Sequence, residues 1–417
     1  MNTRKTEKVV NSHLFSKNIL ATAVATAMFG STVALAGVDH SVNFSVTGDL
    51  TTSYSLHNTT TMTITGGSSI GSNLSSFNGT IDGNATNAGG EGNVVIAGNL
   101  TMNGNIGSTN TTGNFTLNAG NTLVLSDNVT TFNTANMSLT GNTVLNLGNA
   151  TSGYNRSSGN ALTMNANITM ASNSTINIGN GTTITGDIVG ASSGQGTVNI
   201  IGNFTSGGHF GDLSASGASD LEQINISKGN TFTLSAGHNA SATRMNINGT
   251  VTAQGSANIT SAVTMGADSV LNLTNTGTGG GSTAARVTGA IQSYTAGTAQ
   301  GTLNVNGTWS TAGDIGQGGK GLTAINLDSD NDTASHTYTF AHNVNATTIT
   351  LGTNDAQSDN TTLAISAAIT VTGDIVSSGN ASIAGILDIN ENTIFVDNIG
   401  TSSAAIERIT VITGKTA

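Results

Sequence analysis

The sequence predicts an all-β chain: a parallel β-helix (β-solenoid) of short strands and Gly/Asn-rich turns, behind a cleaved N-terminal signal peptide. Three observations predict it. Short strands with apolar residues at every second position run through the chain. A sixteen-residue phrase returns about every 105 residues. Proline is absent from all 417 residues. Alternation places one set of side chains on one face of a strand, and a fixed long period marks a repeat architecture. Proline has no N–H for a strand ladder, so its absence fits a chain whose backbone is spent on ladders.

The first element is a targeting segment. Arg4, Lys5, Lys8 and Lys17 precede the apolar run "ILATAVATAMFGSTVALA", which ends in the small-x-small text Ala34-Leu35-Ala36. That order is a signal peptide over residues 1–36, with cleavage between Ala36 and Gly37, read by the secretion machinery. The run is diluted with Thr, Ser and Gly and sits at the short limit for a membrane span. Removing it leaves 7 basic and 21 acidic residues, so the net charge becomes 7 − 21 = −14. A surface of that sign repels nucleic acid and anionic lipid, so neither is an expected partner.

Residues 37–417 form the repetitive body, with units near 92–195, 196–300 and 301–378. The phrase reads "GNVVIAGNLTMNGNIG" at Gly92, "GTVNIIGNFTSGGHFG" at Gly196 and "GTLNVNGTWSTAGDIG" at Gly301. The copies align without a gap at spacings of 104 and 105 residues. Each has apolar residues at its third and fifth positions and Gly at its first, seventh, thirteenth and sixteenth. Trp309, the only tryptophan, stands where the other copies have Leu100 and Phe204. That place asks for apolar bulk, so Trp309 reads as a core filler rather than a binding aromatic. Other phrases keep step: "NTLVL" at Asn121, "NTFTL" at Asn230 and "HTYTF" at His336. "TGDI" at Thr185, "TGAI" at Thr288 and "TGDI" at Thr372 form another set, whose last member arrives early.

Between these phrases lie strand-like texts such as "TVLNL", "STINI", "QINI", "AINL" and "ILDI", closed by "NG", "TG" and "GN" turns. No helical periodicity follows residue 37, which excludes ordinary βαβ folds. With ~20–24 residues per coil, each strand pairs with the coils before and after it, and only the two ends are open. Asn recurs at strand centres. If stacked Asn side chains bond between coils, they must lie in register one coil apart.

The chemistry-bearing residues are sparse. Only 8% of residues are charged and there is no cysteine, which removes disulfides, thiolate zinc sites and thiol catalysis. "DSDND" at Asp328 to Asp332 opens like a calcium loop. Thr333 and Thr339 stand where Gly and the closing acid belong, so Asp328, Asp330 and Asp332 read as a solvated acidic loop. His336 and His342 have no matching pair in the other copies. The basic residues past the signal, Arg156, Lys228, Arg244, Arg286, Lys320, Arg408 and Lys415, are far apart, and no Ser/His/Asp arrangement is visible. No catalytic, cofactor-binding or metal-ligating set is expected, and the chain reads as a non-enzyme.

From Gly301 to Leu351 the text "GTLNVNGTWSTAGDIGQGGKGLTAINLDSD", followed by "TYTFAHNVNATTITL", resembles the passenger repeats of rickettsial surface-antigen autotransporters. The carrying positions include Gly301, Leu303, Val305, Gly307, Gly313, Ile315, Gly316, Leu322, Ile325 and Leu327. The resemblance continues through Phe340, Val344, Ala346, Ile349 and Leu351. It implies a secreted or cell-surface passenger of a Gram-negative bacterium with an adhesin or surface-antigen role. The implied partner is a host-cell surface protein or glycan. Attachment to the outer membrane would run through a β-barrel, and the text to "ERITVITGKTA" contains no run of barrel-type strands. The other readings are a secreted structural or surface-layer β-solenoid and a glycan-active β-helix enzyme.

Overall fold

The computed structural model describes residues 38–417 except 41, 48–50, 58, 66–74, 85–89, 149–155, 157–159, 212–217, 276–283, 329–334, 353–360 and 379–384. The signal segment, with Ala36 and Gly37, lies outside these residues. The described chain is all β, with 36 short strands and no helix among them. The strands stack in parallel as a β-solenoid, in register one coil apart.

The coil has three faces, visited in a fixed order. Face I carries Met62, Val94, Phe115, Met137 and Ile168 as successive partners. Face II carries Leu100, Leu123, Leu145, Ile176, Val198 and Ile224. Face III carries Phe232, Val251, Leu271, Leu303 and Ile325. Each strand turns two alternate residues inward, as in Thr302–Val305, where Leu303 and Val305 are buried and Thr302 and Asn304 are not. The inward residues of all three faces merge into one continuous core. Each fully buried aliphatic side chain there contributes about 1.5–3 kcal/mol relative to exposure. Coil length runs from 18 residues (Met245 to Val263) to 32 (Leu271 to Leu303). The spread beyond 20–24 comes from corner loops, which project outside the ladder and do not disturb it.

The long repeat is not a whole number of coils. Val94 lies on face I, Val198 on face II and Leu303 on face III. From one copy of the phrase to the next the chain passes thirteen strand positions, which is four coils and one face. The sharp internal bend moves in step. It falls between Asn133 and Asn136 in the first unit, Ser241 and Arg244 in the second, and Asn345 and Thr348 in the third. Equivalent positions therefore never stack on one another in neighbouring units. The fold tolerates this because every face asks for the same thing, two apolar residues at i and i+2.

Following the faces exposes a fourth copy that the spacing hides. "GILDINENTIFVDNIG" runs from Gly385 to Gly400, 84 residues after Gly301, and Leu387 returns to face I. Between Leu303 and Leu387 the chain passes ten strand positions, one coil fewer than thirteen. The early "TGDI" at Thr372 has the same origin: a whole coil is missing, and the rotation by one face is kept.

The glycines of the phrase have separate reasons. Gly92, Gly196 and Gly301 open it at φ of 72°, 86° and 82°. A Cβ on Gly301 would lie 2.6 Å from Met265 Cβ of the preceding coil. Gly107, Gly211 and Gly316 close it, also at positive φ, and there a Cβ would strike a carbonyl oxygen of the following coil at 2.0–2.2 Å.

Candidate functional site

The outer surface of the ladders is the feature with the most repeated chemistry. Asn146, Asn177, Asn199, Asn225 and Asn246 stand one coil apart on face II. Asn177 Nδ2 donates to Asn146 Oδ1 at 2.7 Å. Asn199 donates to Asn177, Asn225 to Asn199 and Asn246 to Asn225, each at 2.8 Å. Asn272, Asn304 and Asn326 form a second row on face III, again at 2.8 Å. Asn93, Asn114 and Asn136 form a third on face I, at 3.0 and 3.3 Å. In all of these rows the later coil donates and the earlier accepts, so the amide dipoles point one way along the axis. These outward rows are uncharged and half-buried, and they satisfy the register that the sequence required of an Asn ladder.

A second device closes the corners. Asn105 Oδ1 accepts the N–H of Thr130 at 2.8 Å, and Asp314 Oδ1 accepts that of Asn343 at 3.1 Å. The same place in the second copy holds His209, whose Nδ1 accepts the N–H of Asn239 at 3.1 Å. His209 and His238 lie with ring centroids 5.2 Å apart. Asp187 Oδ1 accepts the His209 backbone N–H at 2.9 Å, and Ser206 Oγ meets His238 Nδ1 at 3.1 Å. Burial holds the His209 pKa below its ordinary value, against the opposing pull of Asp187 and with a further push from His238. This grouping is invisible in the sequence, because 29 residues separate the two histidines. No group of three His, Cys, Asp or Glu side chains suited to a metal ion occurs among the described residues.

The residues singled out by sequence take other places. Trp309 is 4% exposed and pairs in register with Tyr338; its positional counterparts Leu100 and Phe204 are buried too. The indole Nε1–H has no acceptor. The ring lies beside a shallow depression of about 270 Å³ lined by Ala284, Arg286, Ser310, Thr311 and Ala312. The expectation of a solvated acidic loop fails at Asp328. That residue is buried at φ 62° and accepts the Thr361 hydroxyl at 2.5 Å, closing the strand end from inside. Asp330 and Asp332 lie outside the described residues. His336 is buried 6.4 Å from the Tyr338 ring, while His342 is half-buried on a turn.

The basic residues do not converge. Lys228, Arg244 and Lys415 pair with Asp268, Glu222 and Glu391 at the surface. Arg156 is buried and spends its guanidinium on the carbonyls of Leu125, Ser126, Val129 and Asn160. Burial lowers its pKa from the ordinary arginine value, and Asp127 opposes this. Its role is to satisfy carbonyls at a coil corner. No described helix is long and apolar enough to cross a membrane. No protein family, curated protein or solved structure matches this chain.

Proposed function

We propose that the chain is the secreted or cell-surface passenger of an autotransporter. In this reading it is a structural rod that binds a host-cell surface protein or glycan and performs no catalysis. One observation carries the reading. The segment Gly301–Leu351, which resembles autotransporter passenger repeats, lies in three consecutive strands of a parallel β-solenoid wall, Thr302–Val305, Leu322–Leu327 and Val344–Leu351. Such a wall advances ~4.8 Å per coil and holds outward Asn and Thr side chains at fixed spacing. Rows of rigid amide donors and acceptors suit polar, repetitive partners such as glycans. The surface is acidic overall, so binding of this kind rests on hydrogen bonds rather than on attraction to anionic surfaces.

The test has two arms. Protease shaving of intact producing cells should remove the chain without lysis, and full protection would overturn surface display. The purified chain, labelled and titrated onto host cells, should bind saturably, and binding should vanish after unfolding. Binding no greater than that of an equally acidic control protein would overturn the adhesive role.

A further inference from the structure

The solenoid ends at Arg408–Val411, the last described level on face I. This strand pairs on one side only, with Ile386–Ile389. It is the counterpart of Leu221–Ile226 in the second copy of the repeat and of Leu322–Leu327 in the third, where Ile224, Ile226, Ile325 and Leu327 are fully buried. Each of those strands is covered by a following coil. Their equivalents here, Ile409 and Val411, are 49% and 43% exposed, and Ile412 and Ile394 beside them are 48% and 65% exposed.

Two further positions are built for a following coil. Gly400 keeps the positive φ of the phrase's closing glycine, yet the carbonyl that crowds Gly107, Gly211 and Gly316 from the next coil has no equivalent near it. Asn398 holds the place of Asn105, His209 and Asp314, each of which accepts a corner N–H from the next coil. Asn398 instead bonds backward, donating to Asp374 Oδ1 at 2.9 Å.

We propose that this end is covered by the opening coil of a second copy of the chain, stacked head to tail. The opening coil presents faces III and I in the order in which the last coil ends. Val38–His40 is the first strand of face III, where Ile399 is the last described residue. Phe44–Thr47 is the first strand of face I, where Arg408–Val411 is the last. Phe44 and Val46 are the inward residues of that opening strand, since they pair with buried Met62 and Ile64. Stacking in register sets Phe44 over Ile409, Ser45 over Thr410 and Val46 over Val411, apolar on apolar and polar on polar. The direction is fixed by the ladder. Every described strand pair is parallel and every Asn row donates toward the opening end, and only head-to-tail stacking continues both. A heterologous contact of this kind does not close on itself, so it builds filaments rather than dimers.

The chain contains no cysteine, so single cysteines report the contact cleanly. Purified full-length Thr410→Cys and Ser45→Cys chains, mixed at about 100 µM under mild oxidation, should form a disulfide-linked heterodimer. The mixture should cross-link at least about tenfold faster than either variant alone. Sedimentation velocity of the unchanged chain should show species that lengthen with concentration. Ile409→Lys with Val411→Lys should leave only monomers, with a circular dichroism spectrum like that of the parent. Cross-linking of Thr410→Cys with itself at the rate of the mixture would mean tail-to-tail contact and would overturn the proposal. A chain that stays monomeric at about 100 µM would overturn it too, and would leave that end to a segment following Ala417 or to another partner.

Discussion

Asn199 donates its side-chain N–H to Asn177 Oδ1 at 2.8 Å and accepts one from Asn225 at the same distance. A residue inside such a row makes two side-chain bonds, and no charge is involved.

Asn199→Ala should therefore destabilise the chain by about 1–3 kcal/mol, two bonds at roughly 0.5–1.5 kcal/mol each. Asn199→Asp should be worse at neutral pH, because a carboxylate cannot donate to Asn177 Oδ1. Urea unfolding of the variants measures both. Equal stability of Asn199→Ala and the parent would show that the row contributes nothing.

Trp309→Phe should change stability by less than about 1.5 kcal/mol, because Phe204 fills the same place in another copy. Trp309→Ala should cost about 3–5 kcal/mol through loss of buried area and the cavity left behind. If instead Trp309→Phe abolished partner binding without altering unfolding, the residue would be a contact and not a filler.

Gly301→Ala should cost at least about 2 kcal/mol. The left-handed backbone alone costs roughly 1–2 kcal/mol for a residue with a Cβ. The new Cβ also meets Met265 Cβ at 2.6 Å. Gly318→Ala, at similar φ but with open space around it, should show only the backbone part. The difference between the two melting temperatures isolates the packing part.

His209 gives a pH dependence. Its folded-state pKa is depressed, mainly by burial, so the unfolded chain takes up the proton more readily. The stability it contributes is present above the ordinary histidine pKa of about 6.5 and is lost as pH falls through that value. Asp187 and His238 face the same ring, so the proton also perturbs them. His209→Asn keeps an acceptor for the Asn239 N–H, as Asn105 does in the first copy. It should remove this part of the acid sensitivity while leaving stability at pH 8 nearly unchanged. Melting curves at pH 8 and pH 5.5 make the comparison.

A whole coil should be removable. Gly249 O accepts the Val270 N–H, and the strands starting at Thr250 and Val270 pair in register. Deleting residues 250–269 joins equivalent points one coil apart and should leave a folded, shorter rod, since solenoid stability is close to a sum over coils. Deleting residues 250–259 breaks the face order and should yield an aggregating product. Circular dichroism and gel filtration distinguish the two.

Much of the candidate surface could be read without a structure. Asn146, Asn177, Asn199 and Asn225 announce themselves in "VLNL", "TINI", "TVNI" and "QINI", because a ladder needs only the right residue at the right place in each strand. The pairing of His209 with His238 could not be read, because it depends on the length of the loop between them. Asp328 looked solvated because its neighbours are acidic, but it is turned inward to the Thr361 hydroxyl. The fourth phrase at Gly385 escaped notice because Glu391 and Asp397 replace two of its glycines and its spacing is one coil short.

By itself the sequence determined the composition of every coil: alternating apolar residues for the core, Asn and Thr for the outer rows, and glycine where the backbone turns left-handed or passes too close for a Cβ. These are local demands, met within a few residues. Only the tertiary structure decided which face each copy occupies. Face identity is the running sum of strand positions before it, and loop lengths between 18-residue and 32-residue coils conceal that sum. A repeat of four coils and one face looks like a simple period along the chain and becomes a rotation only when the coils stack.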